Sequence, residues 1–197
     1  MKNKDQVLVV PVNYVSNIGN RFTGTSLSTN SSYCLFDSTG VYEPRYKIDN
    51  NICLIKIALV LIFKDKNNKY LVKELSDKNA RPKIEFGINS YIKPYSGNYL
   101  ALLNQINYIL NNDLKIDTNK ASYKFIGFVR DLANDSVKST LGVIYYIDID
   151  EDLCFSNKSK TYSYQWYSLK ELVDNYSKTT SWSKEIIDNL LIEKIKL

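Results

Sequence analysis

Twelve residues, Ile52 to Phe63, constrain this chain most. They read Ile-Cys-Leu-Ile-Lys-Ile-Ala-Leu-Val-Leu-Ile-Phe, with Lys56 the one charge. Alternation of apolar and polar residues is lost, so neither face of an extended strand could meet water. The run is too short to span a bilayer and rich in β-branched residues. It predicts a central strand covered on both faces, hence a sheet with layers on either side. Asp65-Lys66-Asn67-Asn68 follows as a hairpin turn, and Lys69 to Leu75 returns as its partner.

Other segments fall into place around it. Val7 to Val15 reads as a strand that Pro11 pushes to an edge or bulge. Ser16 to Ser32 is polar and reads as a long loop. Tyr33 to Phe36 reads as a short strand, Asp37 to Gly40 as a turn, and Val41 to Tyr46 as extended chain. Ser76 to Pro82 is a polar loop and Ile84 to Ile92 strand and loop. After Pro94 and Ser96-Gly97-Asn98, the stretch from Tyr99 to Leu114 is amphipathic. Leu102, Leu103, Ile106, Ile109 and Leu110 recur at helical spacing, Asn98 serves as N-cap and Asn111-Asn112-Asp113 ends the helix. Tyr123 to Val129, Leu141 to Ile149 and Tyr162 to Tyr167 read as strands. Ser168 caps a helix from Leu169, and Ser181-Trp182-Ser183 leads into a last helix, Lys184 to Ile195.

The chain has no histidine, which excludes imidazole acid–base chemistry and Ser-His-Asp or Cys-His devices. Its three cysteines, Cys34, Cys53 and Cys154, form no CxxC pair, which argues against structural zinc and a disulfide framework. They read as small hydrophobes in a reducing, cytoplasmic compartment. The N-terminal stretch does not read as a signal peptide. A net charge of +5 is spread among acids, with no basic block that would mark a nucleic-acid arm.

The order of parts carries a resemblance. Val7-Leu8-Val9-Val10-Pro11, Phe22-Thr23-Gly24, Glu43-Pro44-Arg45, Gly127-Phe128-Val129-Arg130-Asp131, Leu141-Gly142, Trp166-Tyr167-Ser168-Leu169-Lys170-Glu171-Leu172 and Ser181-Trp182-Ser183 occur collinearly. Together with the Tyr99 helix they resemble a Nudix hydrolase, in its phosphoesterase subgroup. The resemblance implies an α+β fold, a mixed β-sheet sandwiched by helices. It also implies one domain over 1–197, with residues 1–50 an N-terminal strand and loop extension and 51–197 the core.

In that family an Arg-Glu-x-x-Glu-Glu run on the helix holds magnesium on a diphosphate. The matching residues are Asn104-Gln105-Ile106-Asn107-Tyr108-Ile109, without a carboxylate. Gly87-Ile88-Asn89 stands where active relatives carry Gly-Gly-His, and Thr140 where they carry a histidine. Magnesium requires near-octahedral oxygen ligands, normally including carboxylates. The expectation is therefore no catalytic residue at Gln105, Tyr108 and Ile109, no metal and no cofactor. Displaced ligands would have to come from Glu85, Asp113, Asp117, Asp131 and Asp135.

A pocket without its metal can still bind. By the resemblance, Arg45, Lys93 and Arg130 are anion-contact candidates, Phe22, Tyr91 and Trp166 could stack on a base, and Asn89 could hydrogen-bond a ligand. Each also has an ordinary reading, as a surface ion pair, a core or edge aromatic, or a turn residue. The implied function is capture or sequestration of a nucleotide-derived ligand without hydrolysis. Two alternatives stand beside it: a protein-interaction module with a vestigial pocket, for which sixteen tyrosines are suited, and a phosphohydrolase with displaced metal ligands. No membrane partner is implied, and the long N-terminal loop is a candidate homodimer element.

Overall fold

The computed structural model describes residues 6–16, 21–24, 36, 39–49, 51–76, 84–94, 101–132, 138–149 and 161–195. The apolar run becomes β4, Leu54–Lys64, with every residue from Ile55 to Phe63 buried. Along one side β4 pairs with β9 (Thr140–Ile149) in parallel, from Lys56↔Thr140 to Lys64↔Asp148. Along the other it meets three antiparallel partners in succession. These are β1 (Gln6–Pro11), β7 (Ile88–Tyr91) and, through the Lys64↔Tyr70 pair, β5 (Tyr70–Leu75). β3 (Val41–Pro44) adds to β1, and β6 (Ile84–Phe86) and β10 (Tyr162–Tyr167) add to β5. On the far side, β8 (Ala121–Arg130) joins β9 and β2 (Arg21–Gly24) joins β8. The ten strands form one mixed sheet.

Helices cover both faces. α2 (Ala101–Tyr108) continues into a π-helical turn, Ile109–Leu114. Its Leu102, Ile106, Ile109 and Leu110 pack on Leu59, Leu61, Leu141 and Val143. On the opposite face α3 (Leu169–Asp174) and α4 (Ser181–Ile195) contribute Leu172, Trp182, Ile186 and Ile187 to a second core with Ala58, Val60, Val129 and Ile144. A short helix, α1 (Arg45–Ile48), lies beyond β3. Ser168 opens α3 with a capping box: its hydroxyl accepts from the Glu171 N–H, and the Glu171 carboxylate accepts from the Ser168 N–H at 2.7 Å. The Ser168 hydroxyl also donates to the Glu171 carboxylate at 2.7 Å, and this bond, then the one from the Ser168 N–H, holds the Glu171 carboxyl below its ordinary pKa. Among the described residues no helix is long and apolar enough to cross a membrane.

Several expectations need correction. The polar stretch Ser16 to Ser32 is not all loop, because Arg21–Gly24 gains a hydrogen-bonded partner in β8, which its own polar sequence does not announce. Phe36 is not strand: its carbonyl accepts from the Gly40 N–H at 2.9 Å, closing a helical turn. The extended stretch stops at Pro44, and Arg45 opens α1, where Asp49 N–H bonds back to the Arg45 carbonyl. The first strand ends at Pro11, and Val12–Tyr14 forms a 3-10 turn. Cys53 is not a core hydrophobe. It is exposed, in a turn where its N–H donates to Asn51 Oδ1. The Asn111-Asn112-Asp113 stop does not end α2, because the π-turn carries the chain to Leu114 and Lys115 caps it in the left-handed region. α4 starts at Ser181, so Trp182 lies within it. Asn98, Asp135, Cys34 and Cys154 lie outside the described residues.

Candidate functional site

α2 packs beside β7, and the turn into β7 depends on Gly87. Its φ is +76°, and a Cβ there would collide with the Leu61 carbonyl of β4. Only glycine lets the chain pass so close while turning left-handed. β7 then runs antiparallel to β4, with Asn89 opposite Val60 and Tyr91 opposite Ala58.

Three positions on α2 and its π-helical turn would have to converge on a metal for the family chemistry, and they diverge. Gln105 is 2 % exposed and turns towards β7. Its Oε1 accepts from the Lys93 N–H at 3.3 Å and its Nε2 donates to Ser90 Oγ at 3.4 Å. It ties the helix to the strand. Tyr108 is exposed, whereas Ile109 is buried in the core. An amide clamp, an exposed phenol and a core aliphatic offer no set of anionic oxygens, so these residues do not fit magnesium.

Of the carboxylates named as replacements, Glu85 and Asp117 are engaged elsewhere. Glu85 Oε2 sits 2.8 Å from Lys73 Nζ, an ion pair with both side chains mostly covered. Lys73 Nζ also lies 4.9 Å from the Tyr162 ring centroid. Tyr164, beside them, is held well above its ordinary pKa by burial, then by Tyr162, Glu85 and Asp113. Asp113 is exposed. Asp117 caps a turn, accepting from the Asn119 N–H and Nδ2 at 3.0 Å. Among the described residues no three His, Cys, Asp or Glu side chains gather as a metal site.

Of the seven predicted ligand contacts, four surround β7. The Arg45 guanidinium lies over the Tyr91 ring at 5.1 Å, joining α1 to β7. Asn89 and Lys93 flank Tyr91 along the chain and are exposed. The other three lie apart. Trp166 is on β10, opposite Leu71, and packs with the α2-side core. Phe22 and Arg130 are at the far strands. Register links Tyr91, Ala58, Gly142, Val129 and Phe22 into one row across β7, β4, β9, β8 and β2. Four strand spacings separate its ends, about 19 Å. The floor of that row is not open. A Cβ on Gly142 would lie 3.1 Å from Trp182 Cζ3 and 2.6 Å from Val129 Cγ1, so Trp182 already occupies the space that glycine leaves. Arg130 follows Val129 and alternates to the other face with Phe128. One pocket therefore cannot gather all seven.

Sequence reasoning missed the Gln105 clamp, the Lys73–Glu85 pair and the buried Lys56, whose Nζ bonds Asp49 at 3.0 Å and holds that carboxyl below its ordinary pKa. Lys56 was visible as the one charge in an apolar strand.

By sequence the chain matches no family model and no curated protein. By backbone it is similar to Tm1382, a candidate Nudix hydrolase. The TM-score is 0.74 at 16% identity, covering 94% of this chain and 98% of that one. With DR0079 from Deinococcus radiodurans the TM-score is 0.51 at 9% identity, over 75% of this chain and 90% of that one. The fold is Nudix-like: a mixed sheet with helices on both faces.

Proposed function

We propose that this Nudix-like fold serves as a catalytically degenerate binding protein, capturing or sequestering a nucleotide-derived ligand without metal-dependent hydrolysis. The observation that carries this reading is the divergence of Gln105, Tyr108 and Ile109, one clamped to β7, one at the surface and one in the core. Hydrolysis by the family route needs a metal to polarise the phosphate and activate water. These positions supply no ligands for it.

The β7 corner is the proposed contact surface. Arg45 stacked on Tyr91 keeps its planar donor edge for a phosphate, and Lys93 adds charge beside it. Tyr91 offers a ring face and Asn89 an exposed amide. The test is a thermal-shift panel of nucleotides, dinucleotides and cyclic nucleotides, with and without magnesium. A ligand that binds the folded state raises the melting temperature. A shift independent of magnesium is expected, reduced in Arg45→Ala by roughly 1.5–3 kcal/mol of binding energy. A shift that requires magnesium would instead support a phosphohydrolase with displaced ligands.

One observation favours the protein-interaction reading. Ile52 is 89 % exposed, Tyr46 64 % and Val41 49 %, all in the β3–α1–β4 segment of the N-terminal layer. Silence across the whole ligand panel would move the reading there.

A further inference from the structure

The four most exposed large apolar side chains among the described residues, Ile52, Tyr46, Val41 and Tyr14, all belong to the N-terminal layer. They fall around α1. Ile48 of α1 packs on Val7 and Val9, so the helix lies over that face of β1. Val41 stands directly opposite Val9 and Glu43 opposite Val7, which puts both on the same face. Tyr46 stays exposed on α1 itself. Ile52 follows in the turn that the Asn51 N–H ties to the Ile48 carbonyl. The 3-10 turn bearing Tyr14 adjoins it, because the Val12 N–H donates to the Cys53 carbonyl at 2.9 Å. On ordinary side-chain areas the four present roughly 400 Å² of apolar surface per copy, or about 800 Å² in a symmetric pair. A specific interface of about 1,200–2,000 Å², with just over half its area apolar, needs about 700–1,100 Å² of such surface. One chain therefore carries half of what the contact requires, and a second copy supplies the other half.

The charges favour the same partner. Between Val41 and Cys53 the sequence sets two acids, Glu43 and Asp49, against two bases, Arg45 and Lys47, on a chain whose net charge is +5. Two such chains repel on balance, but this segment is neutral. Glu43 and Lys47 make only a long ion pair of 3.9 Å at the surface, which is worth little in water. Each can turn instead to its opposite number across a two-fold axis, as a self-complementary patch requires. We propose that this face is the interface of a two-fold homodimer, with Tyr46 and Ile52 at its centre and Glu43 of each copy paired with Lys47 of the other. The proposal names the partner for this surface and does not depend on ligand capture at the β7 corner.

The test uses the full chain without added ligand, so its outcome is separate from that of the nucleotide panel. Sedimentation velocity over a micromolar to sub-millimolar dilution series should show a monomer–dimer equilibrium. Ile52→Asp and Tyr46→Ser should each weaken association at least about 30-fold. Circular dichroism of both variants should stay as in the wild type, because the two side chains are exposed in the single chain. Glu43→Lys and Lys47→Glu should each weaken association about 10-fold by setting like charges across the axis. Mixing equal amounts of these two variants should restore a dimer, since each then meets its opposite charge on the other chain. The internal pair stays broken in both chains, so it does not account for that rescue. A wild-type chain that is monomeric at every concentration would overturn the proposal and leave the face to a different protein. So would a dimer that Ile52→Asp and Tyr46→Ser both leave intact, or a mixture no more associated than its components.

Discussion

Placing a carboxylate on α2 with Gln105→Glu should damage the protein and should not create a metal site. The side chain is 2 % exposed, so the new charge would enter the core beside Ile106 and Leu102. It would keep the acceptor role towards the Lys93 N–H but lose the amide donor to Ser90 Oγ. Ser90 cannot simply turn round, because its hydroxyl already donates to the Tyr91 carbonyl at 3.3 Å. One long N–H bond is poor compensation for a buried carboxylate. The expected cost at neutral pH is about 3 kcal/mol, or roughly 6–12 °C in melting temperature for a chain this size. The loss should depend on pH in a fixed direction. Burial raises the folded pKa of the new carboxyl above its unfolded value of about 4.3. The folded state then binds the extra proton, so stability is retained below the unfolded pKa and lost as pH rises through the folded pKa. Urea melts between pH 4.5 and 8 measure this. A variant with the same deficit at both ends, or one stabilised by magnesium, would refute the clamp.

Ile106→Ala should cost roughly 2–5 kcal/mol, since Ile106 is fully buried where α2 meets the sheet, and urea denaturation reads it. Gly142→Ala should cost roughly 1–3 kcal/mol and perturb tryptophan fluorescence, because the new methyl meets Val129 and Trp182. Calorimetric titration with magnesium should show no tight site on the wild-type chain. Tight binding abolished by Glu85→Gln or Asp113→Asn would show that these carboxylates gather after all.

The sheet core was readable because β4 and β9 announce themselves by long apolar runs, Ile57 to Phe63 and Leu141 to Ile147, and α3 by its Ser168–Glu171 box. β2 was not, since four residues of a polar stretch become a strand only through β8, more than a hundred positions away. The α2 stripe gave the helix its face but not its neighbours. Gln105 falls within the buried arc, and a polar residue there reads equally as ligand or clamp until Ser90 and Lys93 are in place. Strand periodicity also hid where the candidate contacts fall. Val129 and Arg130 are adjacent in sequence, yet alternation sends them to opposite sides of the sheet. A linear motif therefore gathers groups that the fold separates.

β4 also sets a timetable. Its parallel partner ends at Ile149, some 85 residues after β4 ends at Lys64. At roughly 5–20 residues per second of synthesis, that interval lasts about 4–17 s. β4 can meet β1, β7 and β5 during this time, but its β9 side stays unmatched. Contacts between residues so far apart in sequence also form slowly in refolding. The most apolar strand of the protein is thus the one whose pairing is completed late. Lys56, the one charge inside the buried run from Ile55 to Phe63, lies where the β9 pairing begins. A charge inside a hydrophobic strand discourages self-association. The residue that bonds Asp49 in the finished fold also guards the chain while it is being made.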